Sequence, residues 1–256
     1  MKGEVIKLFN RIWKSLPDAL FIAPLSSLCQ KYLSRYYKRL FFEQWNRSNK
    51  PHWYDHRIDL YRWPNHLNPN WTERGIYSKE VMFPGCKVLD IGCGDGFYAR
   101  FFYATTASHI DCIDIEQEAI DHARRYHCHP NIRYFKLDAV KEDFPEKEYD
   151  VICLDSSIGH LSSEQIDILV HKIREAMGKS GVFTGSEVCE TPDNQSWDHQ
   201  IALASEEELQ QLLGKYFSHV FTLYLESPGR QNVYFRCGED KRRLMPWNGG
   251  KSFKSE

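Results

Sequence analysis

The sequence predicts an α/β domain on a largely parallel sheet with helices on both faces, preceded by an N-terminal helical extension. Three observations carry this. Strand-like apolar runs alternate with helix-period stretches from Cys86 onward, a glycine-rich turn joins the first such strand to a helix, and the first fifty residues repeat apolar side chains at helical spacing. The length of 256 residues suits one large domain with an appendage. A composition of 42% apolar and 27% charged residues, with 15 Gly and 11 Pro, excludes collagen, coiled coil and bulk disorder. A net charge of -2 disfavours a nucleic-acid coat protein, because a polyanion partner asks for a basic excess. The longest apolar candidate for a membrane span, residues 19–29, is short and broken by Pro24, Ser26 and Ser27.

The extension comes first. Val5, Leu8, Phe9, Ile12, Trp13 and Leu16 share one helical face, Lys7, Arg11 and Lys14 lie opposite, and Pro17 stops the helix. A second stripe runs from Cys29 through Tyr32, Leu33, Tyr36, Tyr37 and Leu40 to Trp45. Ten basic residues against three acidic ones leave residues 1–50 with a charge of +7. Two readings follow: docking on the main domain or on a second copy of the chain as a homodimer, which is the preferred one, or peripheral contact with an anionic membrane surface. Residues 51–80 mix six Trp and Tyr with His and Arg and show no sustained period, so they read as an irregular or short-helical segment covering a pocket.

The core domain, residues 81–238, is read next. Strands are expected over 86–91, 109–115, 132–137, 149–155 and 181–188, with a final pair over 220–225 and 232–237 joined through Ser227-Pro228-Gly229. Helices are expected over 97–103, 117–126, 163–177 (capped by Ser162 or Ser163) and 205–215. The tail, residues 239–256, is charged and expected to be loose. Eight cysteines without a C-x-x-C pair, several inside apolar runs, read as buried thiols in a reducing compartment. With no small-residue cleavage site after the first apolar stretch, a cytoplasmic protein is expected, with room for peripheral membrane contact.

The chemistry starts at Val88-Leu89-Asp90-Ile91-Gly92-Cys93-Gly94-Asp95-Gly96. Glycines let the backbone turn tightly and approach a ligand. A dinucleotide fingerprint needs glycine at the first, third and sixth positions of such a loop; here they fall at the first, third and fifth, and Phe97 occupies the sixth. Asp90 repels a diphosphate but suits a cationic ligand. This stretch resembles motif I of the class I S-adenosylmethionine-dependent methyltransferases. Further features follow in order: Asp111-Cys112-Ile113-Asp114-Ile115, Phe135-Lys136-Leu137-Asp138-Ala139, and Tyr149 to Asp155 with the loop Ser156 to Leu161.

The resemblance implies a Rossmann-like, seven-stranded sheet with an antiparallel last strand, and S-adenosylmethionine as cofactor. It implies that Asp90, Gly92, Cys93, Gly94 and Gly96 form the cofactor loop, that Asp114 takes the ribose hydroxyls, that Ile115 packs on adenine, and that Asp138 beside Ala139 meets the adenine amino group. His66-Leu67-Asn68-Pro69 followed by Arg74 is similar to a stretch of the ubiquinone-biosynthesis O-methyltransferases, which makes Arg74 a candidate for the methionine carboxylate; Arg57 is another, and an ordinary surface arginine is an equal alternative. After the fourth strand, Asp155 is a candidate for positioning the cofactor or the acceptor, and His160 for the general base, since an imidazole suits proton removal near neutral pH. His160 reads equally as a loop anchor.

No metal is expected. Asp155 with Asp193-Asn194 resembles the catechol-type magnesium set, but the pair sits too far past the strand end, and His127-Cys128-His129 is at most a partial zinc site. Trp197-Asp198-His199 reads as acceptor-pocket lining or an exposed loop. The function expected is methyl transfer to a small-molecule or lipid-linked acceptor, with oxygen mildly preferred. A non-catalytic cofactor-binding or scaffold module is the alternative, and RNA methylation a more distant one. DNA is not expected as a partner, because Leu154-Asp155-Ser156-Ser157 stands where amino-methylating DNA enzymes carry Asn/Asp-Pro-Pro-Tyr/Phe.

Overall fold

A computed structural model describes residues 23–45, 52–53, 55–56, 70–190, 199–201, 203, 205–227 and 230–246. The chain divides into two compact units, Met1–Leu67 and Asn68–Glu256. Among the described residues of the first unit, helix α1 (Ala23–Trp45) covers the second apolar stripe. It begins six residues before Cys29, because Pro24 sits in the first turn, where its missing N–H forfeits no helical bond. The helix expected over residues 5–16 lies outside the described residues. Among the described residues no helix is long and apolar enough to cross a membrane.

The second unit is the α/β domain. It opens with α2 (Asn70–Lys79) and continues β1 (Lys87–Ile91), β2 (His109–Asp114), α3 (Gln117–Tyr126), β3 (Ile132–Lys136), β4 (Tyr149–Asp155), α4 (Ser163–Ala176), β5 (Met177–Val188), α5 (Glu206–Gly214), β6 (His219–Ser227) and β7 (Arg230–Gly238). The seven strands form one sheet in the order β3-β2-β1-β4-β5-β7-β6. β1 to β5 pair in parallel, and β7 runs antiparallel between β5 and β6. The chain direction therefore brings the C-terminal ends of β1 to β5 to one edge, where ligands of such sheets bind.

The central strands read as continuous apolar runs because both of their faces are covered. Val151 to Leu154 of β4 are all buried. Leu89, Ile152 and Phe183 pack on Ile166, Ile173 and Leu209 of α4 and α5. Val88, Ile110 and Val151 pack on Ala99, Tyr103 and Ile120 on the other face. Each fully buried side chain of this kind contributes about 1.5–3 kcal/mol. α4 begins at a reciprocal capping box: Gln165 N–H donates to Ser162 Oγ and Ser162 N–H donates to the Gln165 side chain, so Ser162 rather than Ser163 is the cap.

Three local expectations differ from the structure, and one left open between two forms is decided. The helix expected over 97–103 changes to π geometry at Ala99–Tyr103, with Ala104 N–H donating five residues back to Ala99 O. β5 begins at Met177, not Gly181. A register irregularity between Tyr149 and Val151 accompanies the strand's extension through the polar Lys179 and Ser180. Within residues 51–80, read as irregular or short-helical, residues 70–79 take the helical form as the ten-residue α2. Finally, the start of the supposedly loose tail is ordered: Lys241–Leu244 form a 3₁₀ turn capped by Asp240, and Leu244 is buried.

Arg236 explains that ordering. Buried on β7, it donates to the carbonyls of Tyr77 (2.7 Å) and Leu244 (3.3 Å) and to Glu80 Oε2 (2.7 Å). Its guanidinium lies 3.9 Å from the centroid of the Tyr77 ring. One side chain thus joins α2, β7 and the tail. Arg236→Ala is expected to lower unfolding free energy by about 2 kcal/mol in urea titration; a loss within about 0.5 kcal/mol would show these contacts to be dispensable.

All eight cysteines are free, and six are buried. At the far end of the strands His109, Asp111 and Glu146 come together. Arg133 binds Asp111 with two nitrogens (2.8 and 3.0 Å) and reaches Glu146 (2.6 Å), while Lys87 also pairs with Glu146. These cations neutralise the cluster, so it ties β2 to its neighbours without a metal.

Candidate active site

The glycine loop follows β1. Gly92, Gly94 and Gly96 have φ of 66°, 53° and 75°, a region that side-chain-bearing residues enter at a cost. A Cβ on Gly96 would stand 2.5 Å from the Tyr134 hydroxyl. The loop is fixed by backbone bonds: Gly92 N–H and Cys93 N–H both donate to Ile113 O (2.9 and 3.1 Å). Asp95 is fully buried, accepts from Phe97 N–H (3.1 Å), and through its carbonyl accepts from His127 Nδ1. Tyr134 Oη in turn donates to the His127 carbonyl (2.9 Å). His127 is therefore a brace for the loop, and His129 bonds Asn131 instead.

Asp114 closes the far side of the loop. Its Oδ2 accepts from Gly94 N–H (2.9 Å) and its Oδ1 from Glu116 N–H (2.8 Å). These bonds lock the carboxylate's direction. Ile115, the next residue, is 55% exposed although it follows a buried strand. Asp138, after β3, is held locally: Oδ1 accepts from Val140 N–H (3.0 Å) and Lys141 N–H (3.3 Å), and Oδ2 pairs with Lys141 Nζ (3.0 Å). Burial pushes its carboxyl up, but these donors outweigh burial and the net shift is downward. The neighbouring Ala139 carbonyl accepts from Lys172 Nζ (2.6 Å).

Two acids line the floor. Asp90 is 4% exposed, and its Oδ2 is buried and accepts no hydrogen bond. Burial, then the nearby charges of Asp155 and Asp114, push its carboxyl well above the usual range. Asp155, at the end of β4, accepts from Ser186 Oγ (2.7 Å) through Oδ1, while its Oδ2 is buried and unpartnered. Burial pushes Asp155 up to about 6, with Arg74 and the Ser186 bonds pulling the other way. Arg74, buried on α2, therefore stands in the same electrostatic site as Asp155. His160 ends a 3₁₀ turn, Ile158–His160, directly after β4.

The structure thus gathers Asp90, Gly92, Cys93, Gly94, Gly96, Asp114, Ile115, Asp155 and Arg74 around the ends of β1, β2 and β4. Asp138 and Ala139 follow the next strand, β3, and His160 follows β4. Arg57 and residues 193–194 and 197–198 lie outside the described residues. Three residues near β4 were passed over or weakly read from sequence. Glu187, 2% exposed in β5, accepts from Ile158 N–H (2.8 Å) and Gly159 N–H (3.3 Å); Glu190 pairs with His199 (2.6 Å). An acid inside the apolar run Gly181–Val188 was the available signal for Glu187.

Residues 88–181 match the model of a family described as a methyltransferase domain. The chain's sheet order, with the antiparallel seventh strand, is that of the Rossmann-like methyltransferase fold. Among curated relatives, it is 27% identical over 104 residues to a sterol 24-C-methyltransferase (ERG6B) of Gibberella zeae, covering 39% of this chain and 27% of that one. It is 26% identical over 131 residues to a fatty-acid O-methyltransferase of Mycolicibacterium smegmatis (50% and 46%), and 29% over 126 residues to a phosphoethanolamine N-methyltransferase of Plasmodium falciparum (49% and 47%). The chain spans less than half the length of these relatives. Among solved structures, it resembles the N-methyltransferase NodS of Bradyrhizobium japonicum in complex with S-adenosyl-L-homocysteine. The TM-score is 0.56 at 17% identity, covering 70% of this chain and 92% of that one.

S-adenosylmethionine is the cofactor of such a methyltransferase domain. The residues present fit it. Gly92 is exposed and Gly94 half-buried, so the loop presents bare backbone on the side where a ligand can approach closely. Asp90 and Asp155 each leave a buried carboxylate oxygen without a partner, a surrounding that favours a cation. Ile115 offers an uncovered apolar face beside Asp114.

Proposed function

We propose that the protein transfers the methyl group of S-adenosylmethionine to a small-molecule or lipid-linked acceptor, with oxygen preferred as the receiving atom. One observation carries this reading: glycine-loop backbone and the carboxylates of Asp90, Asp114 and Asp155 converge at the ends of three neighbouring strands. The curated relatives support the acceptor class, since a sterol, a fatty acid and phosphoethanolamine are each a lipid or a lipid headgroup. The preference for oxygen rests on His160.

The bound cofactor supplies an electrophilic methyl on a sulfonium, already a good leaving group. The chain's task is alignment, exclusion of water and proton handling. When the cofactor binds, Asp114 would hold the ribose hydroxyls, Ile115 would cover adenine, and Arg74 would hold the methionine carboxylate. Asp90 and Asp155 would stabilise the cationic end, and Asp138 with Ala139 would border the adenine edge. His160, after the end of β4, offers one imidazole for the acceptor's proton. The experiment is calorimetric titration with S-adenosylmethionine, followed by transfer of labelled methyl to phenols, phosphoethanolamine, sterols and fatty acids. Binding without transfer to any acceptor would favour the non-catalytic module, and no binding would end the reading.

The raised Asp155 carboxyl makes binding pH-dependent, with a definite sign. The folded, ligand-free protein keeps a proton on Asp155 up to about pH 6, whereas the unfolded chain releases it near the ordinary 3.8. Ligand-free stability therefore falls as pH rises from 3.8 to about 6, by a total on the order of 3 kcal/mol. A cationic ligand favours the ionised form, so affinity should rise through the same window with proton release. Calorimetry at pH 5 and 7.5 is expected to show about tenfold tighter binding at the higher pH. Asp155→Asn should flatten that dependence. A pH-independent affinity in the wild type would remove Asp155 from the cation's surroundings.

A further inference from the structure

We propose that His199, oriented by the buried carboxylate of Glu190, is a second proton-accepting imidazole of the acceptor site, and that the acceptor therefore carries its proton at neutral pH. This deepens the methyl-transfer reading and rests on it. Glu190 Oε1 lies 2.6 Å from His199 Nδ1, with both side chains at least nine-tenths buried. An Nδ1–H donated to that carboxylate fixes the tautomer and leaves Nε2 with the basic lone pair. The His199 ring meets the His160 ring edge-to-face, with centroids 4.7 Å apart and planes at 89°.

The placement is built by the backbone. His199 rests on Gly159, where a Cβ would come within 2.6 Å of Nδ1. Gln200 N–H and Ile201 N–H donate to the Gly159 carbonyl (2.7 and 3.2 Å), and Gln200 Nε2 donates to the His160 carbonyl (2.8 Å). From β5, Glu187 accepts from the amides of Ile158 and Gly159. The turn after β4 is thus clamped by Glu187 on one side and the 199–201 segment on the other. The groups facing this turn are Glu187, Glu190 and His199 from β5 and beyond, and Asp155 from β4.

A carboxylate–imidazole pair serves an acceptor that must lose a proton. A fatty acid is already ionised near pH 7 and needs no base, whereas an alcohol, a phenol or an ammonium group does. In the step, the acceptor's O–H or N–H proton passes to His199 Nε2. The electron pair it leaves forms the bond to the methyl carbon, and the methyl–sulfur bond breaks with its pair remaining on sulfur. Glu190 offsets the charge gained by the imidazole. Glu190 is here a positioning residue for His199.

The first test is ¹⁵N NMR of the histidine rings in the full chain, assigned with His199→Asn. The wild type should show His199 as the Nδ1–H tautomer. Glu190→Ala should lose it, Glu190→Asp should restore it, and Gly159→Ala, which leaves both partners chemically intact, should lose it by displacing the ring. An Nε2–H tautomer in the wild type overturns the proposal, whether or not any variant fails to fold. The second test transfers labelled methyl to phosphoethanolamine, a long-chain phenol and oleate. Expected is transfer to a proton-bearing probe, a kcat at least tenfold lower in Glu190→Ala with the acidic limb of its pH profile displaced, and unchanged S-adenosylmethionine affinity. Transfer to oleate alone, undiminished in His199→Asn, contradicts the proposal. Failure to bind S-adenosylmethionine, with the His199 tautomer intact, would instead bring down the methyl-transfer reading.

Discussion

Asp114→Ala is expected to weaken S-adenosylmethionine binding by about 100-fold or more, the loss of two charge-assisted hydrogen bonds at roughly 1.5–3 kcal/mol each. The carboxylate is aimed before any ligand arrives, because Gly94 N–H and Glu116 N–H each hold one oxygen. Removing it also frees the loop amide of Gly94, so the loop loses its anchor to β2 as well as its ribose partner. S-adenosyl-L-homocysteine shares the ribose and should lose affinity by a similar factor. Asp114→Asn should fall between, since one amide oxygen replaces two acceptors. Calorimetry reads all three. An Asp114→Ala affinity within threefold of wild type would place the ribose elsewhere.

Gly96→Ala is expected to destabilise the domain by about 3–5 kcal/mol. Two costs add. The left-handed backbone, φ 75°, costs a residue with a Cβ on the order of 1–2 kcal/mol. The new methyl would also stand 2.5 Å from the Tyr134 hydroxyl, which cannot move without giving up its bond to the His127 carbonyl. Tyr134 is 7% exposed, so a displaced hydroxyl finds no ready water partner. Urea unfolding measures the loss. The same variant should lose cofactor affinity even where it remains folded, because the Gly92–Gly96 turn is the part displaced. A change below 1 kcal/mol would mean that the loop relaxes freely, against the brace of His127, Asp95 and Tyr134.

Much of this architecture was legible from residues. β4 appears at its expected bounds, Tyr149–Asp155, because a strand covered on both faces is uniformly apolar. α3 matches its expected bounds, Gln117–Tyr126, because one apolar stripe, with Ala119, Ile120 and Ala123 buried, contrasts with a charged face. The glycine loop was legible because its conformation demands a residue type. What sequence hid are features made by contacts between distant segments. β5 gains Met177 to Ser180 through pairing with Tyr149, although those residues have weak strand character. Leu244 is buried because Arg236, eight residues earlier, holds its carbonyl. The Glu190–His199 pair joins two residues whose proximity depends on Gly159 leaving room for a ring. Asp138 is the reverse case: its place after β3 was legible, but not its engagement by Lys141 and two amides.

The most direct test is a crystal structure of the full chain with S-adenosyl-L-homocysteine. Expected is density across the glycine loop, with the ribose on Asp114, adenine against Ile115 and the carboxylate toward Arg74. Density anywhere else, such as the apolar groove between α2 and β6 lined by Ile76, Phe221 and Leu223, would contradict it.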